Sequence, residues 1–70
     1  MNKFDEFGVA CSDIVEKSEE LYIGETISKM LAAAAFLDVH VTDVMQMTMV
    51  KWIRREKEDR AKKEKNVKDD

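Results

Sequence analysis

Residues 41–53, Val-Thr-Asp-Val-Met-Gln-Met-Thr-Met-Val-Lys-Trp-Ile, carry the pattern on which the fold turns. Wound as a helix at about 100° per residue, they give two apolar stripes on opposite sides. Met45, Met49, Trp52 and Ile53 form one stripe; Val44, Met47 and Val50 form the other. A surface helix of a small domain normally shows a single apolar face, and a helix apolar on most sides is a buried one. A chain of 70 residues has too little mass to cover one helix on both sides. The second stripe therefore predicts a second molecule, another copy or a different partner. Met45-Gln46-Met47-Thr48-Met49 also alternates as a strand would. Methionine favours helix, however, and no hairpin signal flanks the segment, so helix is the reading adopted.

Size points the same way. Near 70 residues a single core supplies only about 3–5 kcal/mol, and small chains add disulfides, a metal or oligomerisation. Cys11 is the only cysteine, so no disulfide forms within the chain. Cys11 and His40 cannot make the four ligands of a structural zinc site. Oligomerisation is the remedy left, and a homodimer is expected. There is no proline, and only Gly8 and Gly24 are glycines, so the chain should be long helices with short connections.

Upstream, Phe4, Phe7, Cys11, Ile14, Ser18 and Leu21 recur at heptad spacing and predict a first helix over about 3–22. Val15 and Tyr22 widen its seam, and Asp13, Glu16, Lys17, Glu19 and Glu20 occupy the other side. Asn2 is placed as its N-cap, and Gly24 as a left-handed C-cap. Ile27, Met30, Leu31, Ala34 and Leu37 predict a second helix over about 25–37, with Ala32 to Ala35 narrow enough for close approach. Thr42 should cap the third helix, about 42–65. From Lys51 onward that helix is charged, and Glu56/Arg60, Glu58/Lys62 and Asp59/Lys63 are i,i+4 pairs in the favourable order. This extension is expected to project into solvent or lie on a partner, and residues 66–70 to fray. The expected fold is all-α: one three-helix, bundle-like domain over 1–65 with a long charged C-terminal helix, associated as a dimer.

Charge is divided along the chain. Residues 1–50 hold three Lys against nine Asp or Glu, a balance of −6, while residues 51–70 hold nine Lys or Arg against six acids, a balance of +3. Glu56, Glu58, Asp59 and Glu64 interleave with the basic residues and would repel phosphate, which favours a solvated helix over a nucleic-acid arm. The longest apolar run, Met30 to Leu37, is far short of the ~20 residues of a membrane span. No apolar stretch follows the early acids Asp5 and Glu6, so no signal peptide is read and a cytoplasmic location is expected.

The connection between the second and third helices resembles a helix-turn-helix motif. Ala34, Asp38 and Val44 fall at the motif's alanine, turn-glycine and valine positions, with Leu37 and Val39 flanking the turn. The resemblance covers about 20 of the 70 residues. It implies a dimeric DNA-binding regulator, reading bases with Thr42 and Gln46 and phosphates with Lys51, Arg54 and Arg55. Asp38 stands in for the turn glycine, a conformation that Asp tolerates better than most residues. Val41, Met45 and Met49 occupy groove-facing positions without hydrogen-bonding capacity, and no Arg or Lys stands among them.

Catalytic candidates are few. Cys11 has no Lys, Arg or His beside it to make a thiolate, and reads as a buried packing residue. Glu16, Glu19 and Glu20 lie on a polar face with nothing to shift their pKa. The methionines read as adaptable core filler or a binding surface rather than a soft-metal site. The expectation is a non-enzymatic regulator or adaptor with no cofactor and no metal. Its contact surface is placed at Met45, Met49, Trp52 and Ile53, rimmed by Lys51, Arg54 and Arg55.

Overall fold

The computed structural model describes residues 2–69, with side chains described for 2–63. Three helices follow in order: α1 (Lys3–Lys17), α2 (Ile23–Phe36) and α3 (Asp43–Asp69), and no strand occurs among the described residues. The all-helical, three-helix reading is thus borne out. The expected frayed end at 66–70 lies outside the residues whose side chains are described.

Each helix begins where local chemistry starts it. The Asp5 N–H donates to Asn2 Oδ1 at 2.9 Å, and Asp5 and Glu6 sit against the positive end of α1. The Met45 N–H donates to Thr42 Oγ1 at 3.2 Å, which caps α3 as the sequence predicts. Only α2 lacks a side-chain cap; its N-cap is Tyr22.

Helix 1 ends earlier than expected, at Lys17 rather than near Tyr22. Ser18 Oγ donates to the Ile14 carbonyl at 2.8 Å, and the Ser18 N–H donates to the Ile14 and Val15 carbonyls. Glu19 and Glu20 come next, and acidic side chains are poorly suited to the negative end of a helix. Gly24 is not the left-handed cap; it lies inside α2, and no glycine has positive φ. Leu21 takes the left-handed conformation instead, at φ 52°, and its side chain is buried. Core burial holds a leucine in a conformation that costs roughly 1–2 kcal/mol.

Helix 2 closes in a Schellman arrangement. The Val39 N–H donates to the Ala34 carbonyl at 2.8 Å and the Asp38 N–H to that of Ala35 at 3.2 Å. Asp38 occupies the left-handed position at φ 57° where glycine is usual. Val39 and Ala34 are both buried and supply the apolar contact that accompanies this ending.

The core joins Phe7, Cys11 and Val15 of α1 with Leu21, with Ile27, Met30 and Ala34 of α2, and with Val39, Met49 and Ile53. Met30 and Ile53 are fully enclosed. Helix 2 is the shared partner, packed against α1 and α3, which touch each other less. Burying small Ala34 allows that close approach. The Cα envelope measures 46 × 24 × 16 Å with a radius of gyration of 13.6 Å, against about 11 Å for a compact domain of this length. The excess reflects α3, whose 27 residues span about 40 Å.

The extension of α3 does not simply project. Arg60 Nη1 donates to the Ser18 carbonyl at 2.6 Å and the Glu19 carbonyl at 3.3 Å, and Nη2 to the Val15 carbonyl at 2.9 Å. Its Nε pairs with Glu56 Oε2 at 3.3 Å. A guanidinium from α3 thus bonds carbonyls at and just beyond the end of α1. Of the expected i,i+4 pairs on α3 only Glu56/Arg60 forms; among the described residues Glu58/Lys62 and Asp59/Lys63 are not within ion-pair distance.

Candidate functional site

The fold assigns the two stripes of α3 to different environments. The stripe of Met45, Met49 and Ile53 faces inward: Ile53 is fully buried, Met49 is buried, and Met45 is half-buried against the core. Met49 and Ile53, which the sequence reading places at the contact surface, are buried in the core instead. Both belong to the core shared with α1 and α2. Trp52 is 37% exposed and lines a shallow groove with Ser12, Val15 and Glu16 of α1 and with Glu56 and Arg60. Lys51, Arg54 and Arg55 are exposed.

The other stripe is the one left open. Val44 is 72% and Met47 60% exposed, and Val50 is only partly covered. Asp43, Gln46, Met47, Val50, Lys51 and Arg54 border one continuous open surface along three turns of α3. Its centre is apolar, an acid stands at its N-terminal end, and two cations stand toward its C-terminal end. Val44 extends it sideways. Sequence periodicity signalled both stripes, but not which one the body would cover.

Other apolar side chains are exposed outside the lining of this face. Phe36, at the end of α2, is 89% exposed, and Phe4 stands beside Ala35, Asp38, Val39 and His40. Lys3 Nζ lies over the Phe4 ring at 5.7 Å and donates to the Asp38 carbonyl at 2.9 Å, tying the start of α1 to the α2–α3 turn.

The chemistry elsewhere is sparse. Cys11 is buried, and desolvation raises its thiol pKa above the ordinary value, which favours the neutral thiol. Among the described residues no three His, Cys, Asp or Glu side chains converge to hold a metal ion, and no buried side-chain polar atom lacks a partner. None of the described helices is long and apolar enough to cross a membrane.

The helix-turn-helix resemblance holds at two positions and fails at a third. Ala34 is buried and Asp38 is left-handed, as the motif asks. Val44, which in that motif packs between the helices, points to solvent. No protein-family model, curated protein or solved structure matches this chain.

Proposed function

We propose that the protein is a small non-enzymatic regulator or adaptor that acts by protein–protein association through the outer face of α3. The observation that carries this reading is the open stripe of Val44, Met47 and Val50, flanked by Lys51 and Arg54. An apolar strip with a charged rim resembles the anatomy of a protein interface, in which a few desolvated anchors supply most of the energy. Met47 is the natural anchor: it is large, adaptable and largely exposed.

A dimeric DNA-binding regulator is the second reading, favoured by the left-handed Asp38 at the α2–α3 turn and by exposed Gln46, Lys51, Arg54 and Arg55. Exposed Val44 counts against it, because the motif packs that position between its helices, and so does buried Met49, which the motif would turn toward the groove.

Two experiments separate the readings. Duplex DNA is titrated at two salt concentrations against the native chain and its Gln46→Ala variant, and affinity capture is run with the native chain, Met47→Asp and Gln46→Ala. Protein association lost in Met47→Asp but kept in Gln46→Ala is the expected result; loss of a buried anchor costs ~2 kcal/mol or more. Sequence-selective DNA binding abolished by Gln46→Ala would overturn the proposal. Weak, salt-sensitive, sequence-blind DNA binding is what the basic residues 51–63 alone would give.

A further inference from the structure

We infer that the occupant of the α3 face is a second copy of this chain, lying antiparallel across a two-fold axis between Met47 and Val50. The inference rests on the reading of this face as an association surface and names its partner. The face is complementary to itself. A two-fold interface must match its own surface, residue i facing j while j faces i. Asp43, Met47, Val50 and Arg54 follow one another at spacings of four, three and four, the seam of a coiled-coil pair.

In an antiparallel pair the seam residues meet end to end. Met47 then faces Val50 of the second copy, and Asp43 faces Arg54 of the second copy. The axis makes each contact twice. The apolar pair falls at the centre and the opposite charges at both ends. Val44 and Lys51 flank the seam on one edge, where the lysine's methylene stem can cover the exposed valine while its ammonium stays in water. Parallel pairing would instead set Asp43 against Asp43 and Arg54 against Arg54, with like charges facing at both ends. The charge order along α3 therefore selects the antiparallel arrangement. All four seam residues are accessible or only partly covered in the folded chain, so association needs no unfolding. The seam is about three turns long, which places dissociation in roughly the micromolar-to-millimolar range.

The test is sedimentation equilibrium of the full chain up to about 1 mM, with helicity and unfolding of every variant followed by circular dichroism. The native chain should pass from 8.1 kDa to twice that mass with rising concentration. Asp43→Lys and Arg54→Glu should each weaken the dimer about tenfold, since each converts two attractive contacts into repulsive ones. The double exchange Asp43→Lys with Arg54→Glu should restore it, because every facing pair is again opposite in sign. Met47→Asp should leave a folded monomer. A native chain that stays at 8.1 kDa throughout would overturn the inference. So would a dimer that both single exchanges leave intact, or a double exchange no better than either single one. A monomeric chain whose capture of another protein depends on Met47 would sink the inference while leaving the proposed function standing.

Discussion

Replacing Arg60 with alanine should remove a large share of this protein's stability, although the residue lies on a helix that projects beyond the core. Its guanidinium makes two short bonds to carbonyls at the end of α1, 2.6 Å to Ser18 and 2.9 Å to Val15, and a longer one of 3.3 Å to Glu19. Hydrogen bonds involving a charged group contribute about 1.5–3 kcal/mol each, and a cation at a helix C-terminus adds about 0.3–1 kcal/mol. Two effects reduce the total. The Arg60 side chain is 32% exposed, so water replaces part of what is lost, and ordering an arginine costs about 2 kcal/mol of rotamer entropy. The net expected loss is about 2 kcal/mol. Against the ~3–5 kcal/mol typical of so small a core this is near half, and the melting temperature should fall by roughly 10 °C. Urea unfolding followed by circular dichroism measures it. Arg60→Lys should recover less than half the loss, because an ammonium cannot span three carbonyls as a planar fork does. Truncation after Glu58 should reproduce the alanine result, and truncation after Lys63 should not. A loss below about 0.5 kcal/mol, or full rescue by lysine, would refute the view that this side chain joins α3 to α1.

Other outcomes follow from the same geometry. Cys11 should react slowly with a thiol reagent in the native state and fast once urea unfolds the chain; rapid native labelling would mean that the α1 face is open. Because burial raises the Cys11 pKa, the unfolded thiol ionises first. Its contribution to stability is fully present below the ordinary thiol value, about 8.5, and is lost as pH rises from there through the raised native value. A Cys11→Ala variant should lack that alkaline component in its stability–pH profile. Gly8→Ala should stabilise by about 0.5–1 kcal/mol, since Gly8 lies inside α1 and an added Cβ meets nothing within 4 Å; a destabilised variant would contradict that local packing.

The number and type of elements were legible in the chain because they depend on local chemistry. Three periodic apolar segments, Asn2 and Thr42 as caps and the near-absence of turn residues suffice for three helices. Asp38 at the α2–α3 turn was readable for the same reason: few other non-glycine residues enter the left-handed region so cheaply. The break after α1 was misplaced because periodicity runs on through Ser18 and Leu21. At the observed end a serine competes for a carbonyl, and an arginine 42 residues downstream of Ser18 bonds the backbone there. Periodicity along α3 gave two apolar stripes of similar strength and no means of ranking them. Packing decided between them: α1 and α2 cover only one side of α3, so Met49 and Ile53 became core and Val44 and Met47 became surface. A contact between residues distant in sequence leaves no periodic trace, and for that reason the role of Arg60 and the identity of the open face emerge only from the tertiary structure.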